Sequence, residues 1–268
     1  MGVAAVAMGG VVLGGGIRLI EVAQAAAPGA SSTAGAAGAA AGAAAGTAAG
    51  GAAPGAAPAG ANPGVRWGLL IDTGKCAEGC TDCVSACNSE NGLAAPTRLT
   101  DAQWIRKVEL KEVKTARKVS LPVMCQHCAD PPCVDVCPTG ASFKRADGIV
   151  LVDPHTCIGC RYCVMACPYQ ARSFVHENLS EQKPDVPRGK GCVESCTLCV
   201  HRIDAAQAAG GQANTACAEA CSQAGHGAIV FGDLNDPASA ISLRLRGAPS
   251  SQLRADLRLD QGVSYRGL

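Results

Sequence analysis

Sixteen of the 17 cysteines in this chain fall into four groups of four, and the spacing within the groups points to their chemistry. The groups are Cys76, Cys80, Cys83, Cys87; Cys125, Cys128, Cys133, Cys137; Cys157, Cys160, Cys163, Cys167; and Cys196, Cys199, Cys217, Cys221. The third reads C-I-G-C-R-Y-C-V-M-A-C-P, with gaps of two, two and three residues and a proline after the last cysteine. This is the ligand spacing of a [4Fe-4S] cluster. Three thiolates on one tight loop present sulfur to three irons, and the fourth is carried off by the chain to a neighbouring cluster. Backbone N–H groups in such a loop offset the cluster's negative charge. The second group widens its middle gap to four residues, the first its opening gap to three, and the fourth its middle gap to 17. All four keep three residues before the last cysteine, which suggests a duplicated unit with insertions.

Two plainer chemistries compete. A cysteine-rich exported chain is often a disulfide scaffold, but neighbouring cysteines on one tight loop rarely pair with each other. Zinc takes four ligands, typically as two separated pairs, and would leave the middle cysteine of the third group without a role. Iron and sulfide in equal amounts, with broad absorbance near 400 nm, would mark a cluster protein.

The elements that must position these cysteines can be read from the segments between them. Ser142 to Asp153 holds two short apolar runs around Asp147-Gly148, a hairpin signal. A bacterial two-cluster ferredoxin has such a hairpin between its ligand loops, so the second and third groups read as one ferredoxin unit. Crossed ligation then assigns Cys125, Cys128, Cys133 and Cys167 to one cluster, and Cys157, Cys160, Cys163 and Cys137 to another. The first and fourth groups form a second unit, split around the first: Cys76, Cys80, Cys83 with Cys221, and Cys196, Cys199, Cys217 with Cys87. Gly227 to Gly232 reads as its closing strand, and Trp104 to Val113 alternates as an inserted strand. The expected fold is α+β, two interleaved ferredoxin-like units within 65–248 (65–100 plus 190–235, and 118–180), with 249–268 as a tail.

The rest of the chain is of another kind. Residues 1–64 are mostly Ala and Gly, with Arg18 and Glu21 the charged residues. Residues 1–25 read as an export signal with cleavage near Ala25, although the positive n-region is missing and the chain holds no Arg-Arg pair. Residues 26–64 are too small-sided and Gly-rich to bury a core and read as a flexible linker. The net charge of +1 gives no support to nucleic-acid binding. Only 2 Trp, 3 Tyr and 3 Phe occur, so a core this poor in large side chains needs inorganic staples. Four clusters of charge roughly −2 each would take the chain to about −7. Lys75, Lys144, Arg145, Arg161 and Arg202 flank the ligands and are expected to soften that charge. His127 is expected to pack or hydrogen-bond beside a cluster, Tyr162 and Tyr169 to shield clusters from water, and Cys192 to be a spare buried thiol. No phosphate loop or nucleophile elbow occurs, so no catalytic residue is expected.

From Trp67 to Ala240 the chain resembles the four-cluster ferredoxin-like subunits of membrane oxidoreductases. The resemblance rests on C-Q-H-C-A-D-P-P-C-V-D-V-C-P-T-G-A, C-I-G-C-R-Y-C-V-M-A-C-P-Y, C-T-L-C-V-H-R-I and F-G-D-L-N-D-P. These relatives include the beta subunits of dimethyl sulfoxide, polysulfide and tetrathionate reductases and the NrfC type. The stretch R-W-G-L-L-I-D-T-G-K-C-A-E-G-C-T-D-C-V-S-A-C-N-S-E-N-G is most similar to the DsrO-type subunit of the Dsr sulfur-metabolism complex. Asn88 and Ser222 stand where some relatives have proline. The resemblance implies a non-catalytic electron relay of four [4Fe-4S] clusters, peripheral to the membrane on its periplasmic side. Its partners would be a quinone-interacting membrane subunit of the NrfD/DsrP kind and a cytochrome or other redox subunits. The competing implications are a beta subunit of a molybdopterin oxidoreductase and a free-standing soluble ferredoxin.

Overall fold

The computed structural model describes residues 61–98, 100–113, 115–179 and 182–268, with the backbone of 20–23. In chain order the elements are β1 (Ile20–Ala23), β2 (Trp67–Asp72), α1 (Asp82–Asn91), β3 (Ile105–Glu112), β4 (Lys118–Met124), α2 (Pro132–Asp135), β5 (Ser142–Lys144) and β6 (Val150–Val152). They continue with α3 (Tyr162–Ala166), β7 (Ser173–Phe174), β8 (Val193–Glu194), α4 (Val200–Ala208), α5 (Ala216–Gln223), β9 (Ile229–Asp233), α6 (Ala240–Gly247) and β10 (Val263–Arg266). Short helices thus alternate with small sheets, as befits a ferredoxin-like domain. The linker and most of the signal segment lie outside the described residues.

The sequence L-L-I gives β2 a continuous apolar run, and it takes the middle of a sheet of order β10-β2-β9. β9 pairs with it antiparallel, Leu70 opposite Val230. β10 pairs with it parallel, Tyr265 opposite Ile71. Gly68 is required here, because a Cβ would come within 2.4 Å of the Gly262 carbonyl. The hairpin expected between the second and third cysteine groups forms as β5 and β6, Phe143 opposite Leu151. The alternating Trp104–Val113 segment forms β3, which pairs antiparallel with β4 and, on its other edge, with β1.

The C-terminal segment corrects the sequence reading. Residues 249–268 are not a tail, because Val263 and Tyr265 are 0% exposed and Tyr265 donates its hydroxyl to the Pro122 carbonyl at 3.1 Å. The alternation V-S-Y-R is only four residues long and follows polar loop residues, so its period carries little signal by itself. Burial on the β2 edge makes it a strand.

Candidate iron–sulfur sites

The three-residue gap before each last cysteine has a helical meaning. In α1, Cys83, Cys87 and Asn91 recur every four residues, share one face and are all buried. One turn, about 5.4 Å, separates successive positions, so one helix can serve two sites. α5 does the same with Cys217 and Cys221, and it packs against α1. Cys76, Cys80, Cys83 and Cys221 then line one small cavity, together with Lys107 and His226 (site I). Cys87, Cys196, Cys199 and Cys217 line another, together with Asn91 and Trp104 (site IV). Cys137, Cys157, Cys160 and Cys163 line a third (site III). Cys125, Cys128, Cys133 and Cys167 converge likewise (site II). Burial pushes the Cys128 thiol up to about 12, and the other three thiols of the set add to the rise.

The loops share a second device. In every run the residue just before the second cysteine has positive φ: Gly79 (74°), His127 (44°), Gly159 (69°) and Leu198 (53°). For His127 and Leu198 this conformation is strained, the kind of cost usually found at functional sites. At Gly159 a Cβ would also fall 2.1 Å from the Gly191 carbonyl, so only glycine fits. The strain turns backbone N–H groups inward. Leu198 N–H points to Cys196 Sγ at 3.5 Å, and His127 N–H to Cys125. From elsewhere, Ser142 N–H reaches Cys137 Sγ (3.3 Å), Ala171 reaches Cys167 (3.5 Å), Val193 reaches Cys157 (3.4 Å) and Ala228 reaches Cys221 (3.3 Å).

All 17 cysteines are free thiols. Burial raises Cys83, Cys125 and Cys199 to about 12 and holds Cys87 and Cys196 well above the usual thiol value. Such thiols stay protonated unless a metal takes the proton's place. Four convergent thiols around an enclosed space, with N–H groups already aimed at sulfur, fit a [4Fe-4S] cluster.

Two of the cations, Arg145 and Lys144, differ from expectation. Arg145 does not face a thiol; its guanidinium is buried on Asp147 (2.9 Å) and Asp204 (2.7 Å). Lys144 donates to the Ala129 carbonyl, whereas Arg161 stacks over Phe174 and lines the site III cavity. Arg202 is held by Glu219 and only partly lowers Cys199. The residues that do the work expected of these were missed. Lys107 donates to the carbonyls of Ala77 (3.1 Å) and Cys80 (2.6 Å) and lowers Cys83. Arg172 is buried and lowers Cys125, Cys133 and Cys163. Arg172 lies beyond the last cysteine of its run, and no local spacing marks it.

Among the other candidates, His127 is buried and accepts from Val150 N–H through Nδ1 at 3.0 Å. Burial, with Arg172 beside it, lowers its pKa to about 3, so the ring is neutral. Tyr169 is buried near Cys128 and Cys167. Tyr162, at the start of α3, is 56% exposed and so less suited than Tyr169 to keep water from a cluster. Cys192 is buried, its thiol directed at the Pro154 carbonyl at 3.2 Å.

Comparison with known proteins places this arrangement in a class. Residues 116–233 match the 4Fe-4S dicluster domain. The chain is 44% identical over 225 residues to the Hdr-like menaquinol oxidoreductase iron-sulfur subunit 1 of Archaeoglobus fulgidus, covering 76% of this chain and 84% of that one. It is 40% identical to a subunit of the tetrathionate reductase of Salmonella typhimurium (68% of this chain, 64% of the relative) and 39% identical to protein NrfC of Escherichia coli (72% and 77%). The chain belongs to the 4Fe-4S dicluster family of ferredoxin-like iron–sulfur subunits and binds [4Fe-4S] clusters.

Proposed function

We propose that this chain is the electron-transfer subunit of a membrane-associated oxidoreductase, with four [4Fe-4S] clusters held at sites I to IV by the four cysteines of each. One arrangement supports the reading: α1 and α5 each carry one thiol of site I and one of site IV, and the sites line up as a series, buried in the middle and open at its ends. Cys83 of site I feels Cys217 of site IV. Tyr265 feels both Cys196 of site IV and Tyr169, which in turn feels Cys128 and Cys167 of site II. Cys133 of site II feels Cys163 of site III. All four cysteines of site IV and three of site II are buried; Cys76 and Cys80 at site I are partly open and Cys160 at site III is exposed. Each cluster, when bound, would take up and pass on one electron. The chain's own part is to hold the sites in this order, exclude water from the middle ones and leave thiols at the surface at both ends.

In this reading the fold is two interleaved ferredoxin-like units, 118–180 within 65–100 plus 190–235. The site III end carries Ile158 (68% exposed), Met165 (73%) and Tyr162 around Cys160, an apolar patch suited to a hydrophobic partner. That partner would be a quinone-interacting membrane subunit of the NrfD/DsrP kind, with a cytochrome or other redox subunit at the other end. The chain would be peripheral to the membrane; among the described residues no helix is long and apolar enough to cross one. Residues 1–25 would be an export signal placing it on the periplasmic side. Cleavage near Ala25 would remove β1 from the edge of β3, and the N-terminal sequence of the mature protein tests this.

The relative named as an Hdr-like menaquinol oxidoreductase subunit favours a complex of the Dsr type. The tetrathionate reductase relative favours the second reading, a beta subunit on a molybdopterin enzyme. The subunit list of the native complex decides: a cytochrome and a heterodisulfide-reductase-like partner support the first, a molybdopterin partner the second. Iron and sulfide far below four cubanes per chain would sink both.

A further inference from the structure

Arg172 is 5% exposed, and among the described residues its guanidinium has no oxygen partner; the groups within its reach are the thiols of Cys133 and Cys163. A buried cation left without a carboxylate or carbonyl is strongly destabilising, so something else must compensate it. The neighbouring groups exclude the ordinary candidates. Arg145 and Arg188 have buried carboxylate partners, in Asp147 and Glu194, whereas Arg172 has none among the described residues. What it faces are sulfurs: Cys133 and Cys125 of site II and Cys163 of site III. It directly follows Ala171, whose N–H is aimed at Cys167 Sγ, so the same turn delivers one backbone dipole and one full charge to the boundary between the two sites.

Resting on the ligand sets proposed above, we infer that Arg172 is a positioning residue for the electron, a fixed positive charge shared by sites II and III that raises the reduction potentials of both clusters relative to those at sites I and IV. Adding an electron adds one negative charge to a cluster, and a fixed cation in a water-poor interior stabilises that added charge strongly. Site II contributes two of the three facing thiols and should feel it most. Sites I and IV contribute none.

The test is a redox titration of the full holo-chain followed by electron paramagnetic resonance, with iron and sulfide counted in every sample. In Arg172→Gln two of the four potentials should fall, one of them by at least tenfold in the equilibrium constant for electron uptake, which is about 59 mV. The other two should stay in place, and Arg172→Lys should restore most of the shift. Unmoved potentials in a fully loaded Arg172→Gln protein would overturn the inference, as would an Arg172→Lys protein shifted as far as Arg172→Gln. Should Arg172→Gln fail to load, iron falling to about half while Arg172→Lys loads fully supports a required charge; equal loss in both overturns it. Wild-type protein without four clusters refutes the ligand sets instead.

Discussion

In the central segment the last cysteine of each run is followed by proline, Pro138 and Pro168, and the helices there are brief: α2 has 4 residues and α3 has 5. In the flanking segments Asn88 and Ser222 stand at that place, and α1 and α5 run for 10 and 8 residues. Proline lacks the N–H and clashes with the carbonyl four residues back, so it stops a helix and pushes the preceding residue extended. Cys167 shows this, with φ −76° and ψ 111°. The difference teaches what each segment must do. Sites II and III draw their cysteines from one short stretch joined by the β5–β6 hairpin, so small turns suffice. Sites I and IV must join opposite ends of the domain and bear a larger closure entropy. Their helices run on past the cysteine so that α1 and α5 can pack together.

The largest expected effect falls on the flanking segments. Cys217→Ser removes a buried site IV thiol on α5, and we expect loss of about a quarter of the iron and of amide protection in α1 as well as α5, read by hydrogen exchange. Loss of protection confined to α5 would show that the helices do not depend on each other. Next comes the join between the segments, where Arg145 of the central hairpin meets Asp204 of α4. Arg145→Ala leaves Asp147 buried and unpaired and should cost about 3–5 kcal/mol in denaturant unfolding. Asn88→Pro would give α1 the central pattern. It should cost about 3 kcal/mol and loosen Asn91, whose side chain donates to the Cys87 carbonyl at 2.8 Å. Pro168→Ala is the reverse exchange and should change stability by less than about 1 kcal/mol, since the chain beyond it is already held in place by Arg106, which donates to the Tyr169 and Gln170 carbonyls.

The smallest effect is local. Burial pushes the Asp101 carboxyl up, but hydrogen bonds from the backbone and side chains of Thr97 and Arg98 outweigh it and hold it at about 2. A depressed carboxylate stabilises the folded loop above its ordinary pKa of 3.8, and this is lost as pH falls towards 2. Amide protection at Thr97 and Arg98 should fall across that window, and Asp101→Asn should flatten the dependence.

Much of this was legible because cysteine spacing is both chemistry and geometry. The C-x2-C loops, the hairpin at Asp147-Gly148 and the strand at Trp104–Val113 each carry a local signal. The cations were not legible, because proximity in sequence to a ligand says nothing of direction. Arg145 is next to the ligand loops in the chain yet turns to Asp204, whereas Arg172 faces three thiols. β4 was hidden by Pro122, which discourages a strand reading until its carbonyl is seen accepting the Tyr265 hydroxyl.

β10 has a consequence in time. Every cysteine is synthesised before this strand, and β2 cannot be closed on that edge until it arrives. Gly262 N–H also bonds the carbonyls of Gln126 and His127 inside the second cysteine loop. The cysteine loops are therefore complete while the sheet beside them is still open. Of the strands that complete the sheet beside the cysteine loops, β10 is the one added after every ligand is already in the chain.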